Sequence, residues 1–268
     1  MNPIKQANTI DEVVVILEEI IQTAITNKNP LGYFAALYKK VTVAVRTGIH
    51  KKEFEDNDRM EKLDVIFANR YIYAYYAYQA EQEVTTSWLK AFKMGKQFWP
   101  IVLQHLLIGM NAHINLDLGI AAATVSKGQP IDNLHNDFNR INEVLASLVA
   151  EVQNDLAAIW PTLVWILKKT KRMDDFLINF SMKIARNEAW KFATHLANKS
   201  ECEWDVAIQA RDKTVAKYTK IIRPPGILEV LFFGIIRLGE RGNVAKRIAQ
   251  LNKKEISKYL IKINRHIL

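Results

Sequence analysis

Between residues 104 and 123 the chain reads QHLLIGMNAHINLDLGIAAA. The stretch has the composition of a buried helix, yet it carries His105, Asn111, His113, Asn115 and Asp117. Each polar group buried without a partner would cost about 1–3 kcal/mol, so these residues need partners or a task. On a helix turning about 100° per residue, with His105 at zero, His113 falls at about 80° and Asp117 at about 120°. His113 and Asp117 are four apart, so their side chains are neighbours. Gly109 lies between the two histidines and leaves space there. Imidazole nitrogen and carboxylate oxygen are ligands that zinc, iron and manganese accept, and His105, His113 and Asp117 together would leave coordination positions open for water. Such a metal-bound water attacks an ester, phosphoester or amide. The same spacing also fits a closed network in which Asp117 accepts from His113 and His105 bonds elsewhere. The helical metal motifs Glu-x-x-His and His-Glu-x-x-His are absent. Asn111 and Asn115 fall on another side, where they are expected to bond neighbouring helices.

A second group sits in RMEKLDVIFANRYIYAYYAYQ, residues 59–79. Asp64, Ala68, Tyr71, Tyr75 and Tyr78 share a face within about 80°. Asp64 suits a fourth ligand or a general base, with Tyr71 and Tyr75 as hydrogen-bond donors. The alternative is a buried ion pair between Asp64 and Arg70 or Arg186. Beyond the apolar helix, TVSKGQPIDNLHNDFNRIN supplies His135, Asp137 and Asn142; Asn136 or Asp137 also suits a helix N-cap. In RNEAWKFA, Arg186 and Trp190 are four apart and suit a stacked face.

The elements that must position these groups are helices. Apolar residues recur at helical spacing throughout the 268 residues, and no alternating strand pattern of any length occurs. The spacing predicts helices over about 10–26, 33–48 (ended by Gly48), 59–81, 87–97, 100–125, 137–155, 173–199 and 203–222, with Pro161 breaking the run that follows residue 155. About ten helices in one all-α domain are expected. Pro224-Pro225-Gly226 marks a turn or sub-domain boundary, followed by a short apolar segment and a basic tail over 243–268.

Composition narrows the classes further. The hydrophobic share is 49% and the net charge +9. From Val206 to Leu268 there are 14 Lys/Arg against four acids, so the positive charge is concentrated at the C-terminal end. The tail places Ile248, Leu251, Ile256, Leu260 and Ile263 at helical spacing beneath Lys253, Lys254, Lys258, Lys262 and Arg265. That is an amphipathic helix, docked on its own domain or lying on an anionic membrane. One cysteine, Cys202, and no secretory leader lead us to expect a cytoplasmic protein. The absence of a P-loop, a G-x-G-x-x-G turn and base-reading motifs argues against a nucleotide cofactor and sequence-specific nucleic acid. Nothing in the residues fixes the oligomeric state.

The blocks RMEKLDVIFANRY, HLLIGMNAHINLDLGIAAA and DFNRIN resemble an uncharacterised bacterial family defined as a domain of unknown function (DUF5995). The resemblance spans most of the chain and implies a helical fold without an assigned activity. It covers Asp64, Asn69, Arg70, His105, Asn111, His113, Asp117, Asp137 and Asn142. A distant chemical echo is the all-α zinc phospholipase C and P1 nuclease group, whose His-x-x-Gly-Asp helix is not reproduced in His105, Gly109, His113 and Asp117.

Two functions follow as expectations. One is a hydrolase using a metal-activated water, with Asp64 and Tyr71 as catalytic groups. The other is a non-catalytic binding or scaffold protein whose tyrosine-rich interior takes a small or lipid-like molecule.

Overall fold

Thr9 starts the first helix: its hydroxyl accepts from the Glu12 amide at 3.2 Å, and Asp11 and Glu12 complement the helix dipole in the first turn. In this computed structural model, which describes residues 5–161, 182–222, 234 and 236–253, that helix is α1 (Ile10–Thr26). It is followed by α2 (Gly32–His50), α3 (Asn57–Gln79), α4 (Thr86–Met94), α5 (Val102–Ala112), a π-helical turn (His113–Leu118), α6 (Gly119–Val125), a 3-10 turn (Ile131–Leu134), α7 (His135–Ile159), α8 (Met182–Ala197), α9 (Glu201–Ile222) and α10 (Val244–Leu251). No strand occurs among the described residues, and the all-α expectation holds.

The apolar stretch over 102–125 forms one continuous rod through α5, the π-turn and α6. It is long and apolar enough to cross a membrane by length and composition, but 89% of the 18-residue stretch that meets that test is buried within the protein. A helix that is apolar all round needs neighbours on every side. Here α2, α4 and α9 pack on α5, while α3 and α8 flank the π-turn and α6. Buried carboxylates hold the exposed amides at the helix starts. Asp212 accepts from Thr86 and Ser87 at 2.7 and 2.9 Å, and Glu240 accepts from Val102 at 2.6 Å. Asp137 accepts from Glu55 and Asp56 at 2.7 and 3.0 Å ahead of α3, so it does serve a helix start, though not that of its own helix.

Two boundaries differ from the sequence reading. Helix α2 runs through Gly48 to His50, and Lys52 takes the left-handed turn at φ 57°. Gly48 is needed instead for the approach of Phe54, whose ring lies 3.0 Å from where a Cβ would be. The helix expected from residue 137 begins two residues earlier and extends to Ile159, directly before Trp160 and Pro161.

Past the Pro224–Gly226 break, the chain packs back on the domain. Helix α10 contacts α1, α2 and α7, and Ile248 and Leu251 are buried. Glu240, bonded to the start of α5, pairs with Arg237 at 2.5 Å and Arg247 at 2.9 Å. The remainder of the basic tail, including Ile256, Leu260, Ile263, Lys254, Lys258, Lys262 and Arg265, lies outside the described residues.

Candidate functional site

Asp117 is the hub of the interior. It is 1% exposed and accepts from three donors: Arg70 Nε at 2.7 Å, Trp88 Nε1 at 2.8 Å and His113 Nδ1 at 3.2 Å. Burial alone would raise its pKa, but Arg70 and His113 overcome that and hold it below the ordinary value. Asp117 is therefore an anion at neutral pH. Because it is an acceptor, it fixes the proton of His113 on Nδ1. Burial lowers the His113 pKa, with Asp117 opposing only in part. The ring is thus neutral, and Nε2 presents a bare lone pair.

That Nε2 is buried and has no hydrogen-bond partner. The ring is clamped by Phe67, stacked at 3.6 Å between centroids and 8° between planes, and by the edge-on contact of Tyr38 at 4.4 Å. His113 lines a cavity of about 750 Å³ whose walls come mostly from apolar residues of α2, α3, α5, the π-turn and α7. Tyr38 and Asp64 line the same cavity, and each has a buried oxygen without a partner. Burial, with the nearby Glu61 carboxylate adding, pushes Asp64 up to about 7. Asn142 and Arg186 line the cavity as well. His113, Asp64 and Tyr38 thus share the lining of one cavity.

The π-turn positions this arrangement. A π-turn inserts an extra residue into the helical ladder and shifts the register of everything after it. Here it spans His113 to Leu118, so both members of the His–Asp pair sit on it.

The structure separates other residues that the helical projection grouped. His105 does not share the cavity of His113. It lies in a small pocket of about 20 Å³ with Pro30, Leu31, Tyr71 and Trp88, its ring 5.5 Å from that of Tyr33. Burial, with Arg237 adding, lowers its pKa to about 3. Gly109 does create room, but Phe34 fills it: a Cβ there would lie 2.5 Å from the Phe34 ring and 3.0 Å from its Cβ. Gly109→Ala is accordingly expected to destabilise by about 1–3 kcal/mol in urea unfolding, the usual cost of overpacking, despite the better helix propensity of Ala. A neutral result would mean that α2 yields at this contact.

Tyr71 packs edge-on to Phe34 and Tyr38 and close to Trp88. It lines the small pocket rather than the large cavity. Tyr75 lies beyond it, against Phe92. Asn69 clamps the N-terminal segment by two 2.8 Å bonds to the Ala7 backbone. Asn111 donates to the Val215 carbonyl at 3.0 Å and accepts from Asn115 at 3.1 Å, tying the rod to α9 as expected of that face. His135 stacks near Trp190 and bonds Asn139 at the surface. Arg70 and Arg186 do not pair with Asp64: Arg70 serves Asp117, and Arg186 donates to the Phe138 carbonyl and lies over the Phe138 ring at 4.4 Å.

Among the described residues, no three His, Cys, Asp or Glu side chains gather as a metal site. His105 is in another pocket, and both Asp117 oxygens already accept from protein donors, so the proposed trio does not fit a metal here. Three residues of the site escaped the sequence reading: Tyr38, Phe67 and Trp88. Trp88 had a usable signal, since a buried indole N–H requires an acceptor and SWLKAF offers no carboxylate. Phe67 lies three residues from Asp64, at the edge of the face considered.

The class defined by this geometry is an all-α domain with a largely apolar cavity and a buried acid and base at its wall. The chain belongs to the family described as a family of unknown function (DUF5995), whose model matches residues 10–225. No curated protein and no solved structure matches it.

Proposed function

We propose that the protein is a hydrolase acting on an apolar ester, with His113 activating the water directly. The observation that carries this reading is the buried, unpartnered Nε2 of His113, a ring held by Asp117 and Phe67 in the wall of the cavity that Asp64 also lines. Water activation is assigned to the imidazole rather than to a metal because the described residues supply no third ligand beside His113 and Asp117.

In the reaction, His113 Nε2 removes a proton from water as its oxygen bonds to the acyl carbon. The protonated carboxyl of Asp64, with Tyr38 beside it, donates to the oxygen on which negative charge develops. Collapse breaks the acyl–oxygen bond, and the imidazolium returns its proton to the departing alkoxide. The products are an alcohol and a carboxylic acid. Asp117 stabilises the transient imidazolium, and Arg70 and Trp88 fix Asp117.

The test is turnover of a p-nitrophenyl ester series by the parent and by His113→Gln. Loss of about 10²–10⁴-fold in kcat, the usual contribution of a general base, supports the reading if the variant melts as a folded protein. Unchanged turnover in a folded variant refutes it. Binding of the same esters without turnover by the parent would leave the non-catalytic binding role in its place.

A further inference from the structure

Arg186 is the cavity's unexplained residue. It is 5% exposed, and its Nε is buried without a hydrogen-bond partner. Its one described hydrogen bond goes to the Phe138 carbonyl, and among the described residues no carboxylate pairs with it. A buried cation without an anion is costly. Burial lowers its pKa to about 9, which still leaves it charged at neutral pH. Proteins hold such groups where an anion completes them, and a guanidinium suits a carboxylate through parallel N–H donors.

The distribution of polarity along the cavity gives the rest of the ligand. Arg186, Asn142 and Asp64 line it together with Phe138, Ile141 and Met60, near the start of α7. Toward the other end of α7 the walls are Val152 and Leu156, with Leu103, Leu106 and Leu107 of α5, and Gln153 is the polar exception. Lys40 of α2, bonded to Asp155 at 2.6 Å, fixes α2 along the same side. From Phe138 to Leu156 the helical rise is about 27 Å. At about 1.25 Å per methylene, from the C–C bond length, a chain of roughly sixteen to eighteen carbons with its carboxyl group fits within that span. The cavity volume falls in the range of ordinary small-molecule sites.

We propose that the cavity binds a single long-chain carboxylate, its head group paired with Arg186 and its tail lying between α5 and α7. This rests on the cavity assigned above and names its ligand class: the fatty acid is the product, and its ester the substrate, of the proposed hydrolysis.

The experiment is displacement of a fluorescent fatty-acid probe from the full chain, below micellar concentrations, by palmitate, octanoate and hexadecanol. The expected result is palmitate binding at least tenfold tighter than hexadecanol and at least tenfold tighter than octanoate. Arg186→Met should abolish the preference for palmitate over hexadecanol while leaving hexadecanol affinity within about twofold, and Arg186→Lys should retain part of it. Equal affinity of the parent for palmitate and hexadecanol overturns the head-group pairing. So does a preference that survives in Arg186→Met. Equal affinity for palmitate and octanoate overturns the tail placement, and absence of binding by all three overturns both. If Arg186→Met does not fold, the comparisons on the parent and on Arg186→Lys decide alone. Ester turnover by the parent separates this inference from the hydrolase reading: a palmitate preference without any turnover keeps the ligand class and overturns only the hydrolysis.

Discussion

At pH 8, Asp64→Asn is expected to unfold at higher urea than the parent, by about 4 kcal/mol, whereas near pH 4 the two should nearly coincide. The Asp64 carboxyl is buried in the cavity wall, Oδ2 has no partner, and its pKa is pushed up to about 7 by burial and then by Glu61. The unfolded chain holds an ordinary Asp near 3.9. Between these values the folded state binds the proton more tightly than the unfolded state, so stability falls as pH rises. About three pH units at roughly 1.4 kcal/mol each give the expected difference. Asn keeps the shape without the charge and avoids that loss. Paired urea curves at the two pH values check it. An Asp64→Asn protein less stable than the parent at pH 8 would mean that the carboxylate is paired and the site is not as described. The expected gain in stability would mark the buried acid as a stability cost retained in the wall of the cavity that His113 also lines.

Removing the hub should have the opposite effect. Asp117→Ala leaves Arg70 Nε, Trp88 Nε1 and His113 Nδ1 without their acceptor, and breaking a buried charged pair of this kind costs about 3–5 kcal/mol. Arg70 is 29% exposed and can turn partly toward water, which favours the lower end of that range. Asp117→Asn is the more informative change. It retains one oxygen and most of the packing, but its amide group can donate to His113 Nδ1 and drive the ring proton onto Nε2. The bare lone pair on Nε2 then disappears. A loss in kcat of about 10³–10⁴-fold is expected, by analogy with tautomer loss in His–Asp hydrolases, with a far smaller loss of stability than in Asp117→Ala. Nitrogen-15 NMR of the His113 ring, read beside the urea curves, checks both parts. Equal activity in Asp117→Asn and the parent would remove the orienting role.

The helical fold and the His113–Asp117 contact were legible because both depend on local spacing. Four residues along a helix bring two side chains together whatever surrounds them, and the contact persists through the π-turn. The placement of Asn111 and Asn115 against a neighbouring helix was legible for the same reason. His105 was misgrouped because an angular projection omits axial rise. It lies eight residues, about 12 Å, from His113, and Phe34 occupies the gap at Gly109 between them. That insertion depends on how α2 meets α5, which local spacing does not specify. The i,i+4 relation of Arg186 to Trp190 marks a shared face, and the ring that both pack on is Phe138, which only tertiary packing supplies. Tyr38 and Phe67 look like ordinary core aromatics in the sequence, and only tertiary packing sets them against the imidazole.

The pH dependence of kcat/KM for a long-chain p-nitrophenyl ester, measured from pH 5 to 9 in the parent and in Asp64→Asn, tests the acid–base account most directly. His113, with Asp117 and Arg70 about its ring, must be neutral to act, and burial lowers its pKa so that it is neutral throughout most of that range. Asp64, with Glu61 and Tyr38 as its titratable neighbours, must keep its proton to serve the developing oxyanion. The account predicts a parent rate that falls about tenfold per pH unit above pH 7, and an Asp64→Asn rate with no such fall, since Asn remains a neutral donor. A parent rate that keeps rising through pH 8–9, or the same alkaline fall in both proteins, would contradict it.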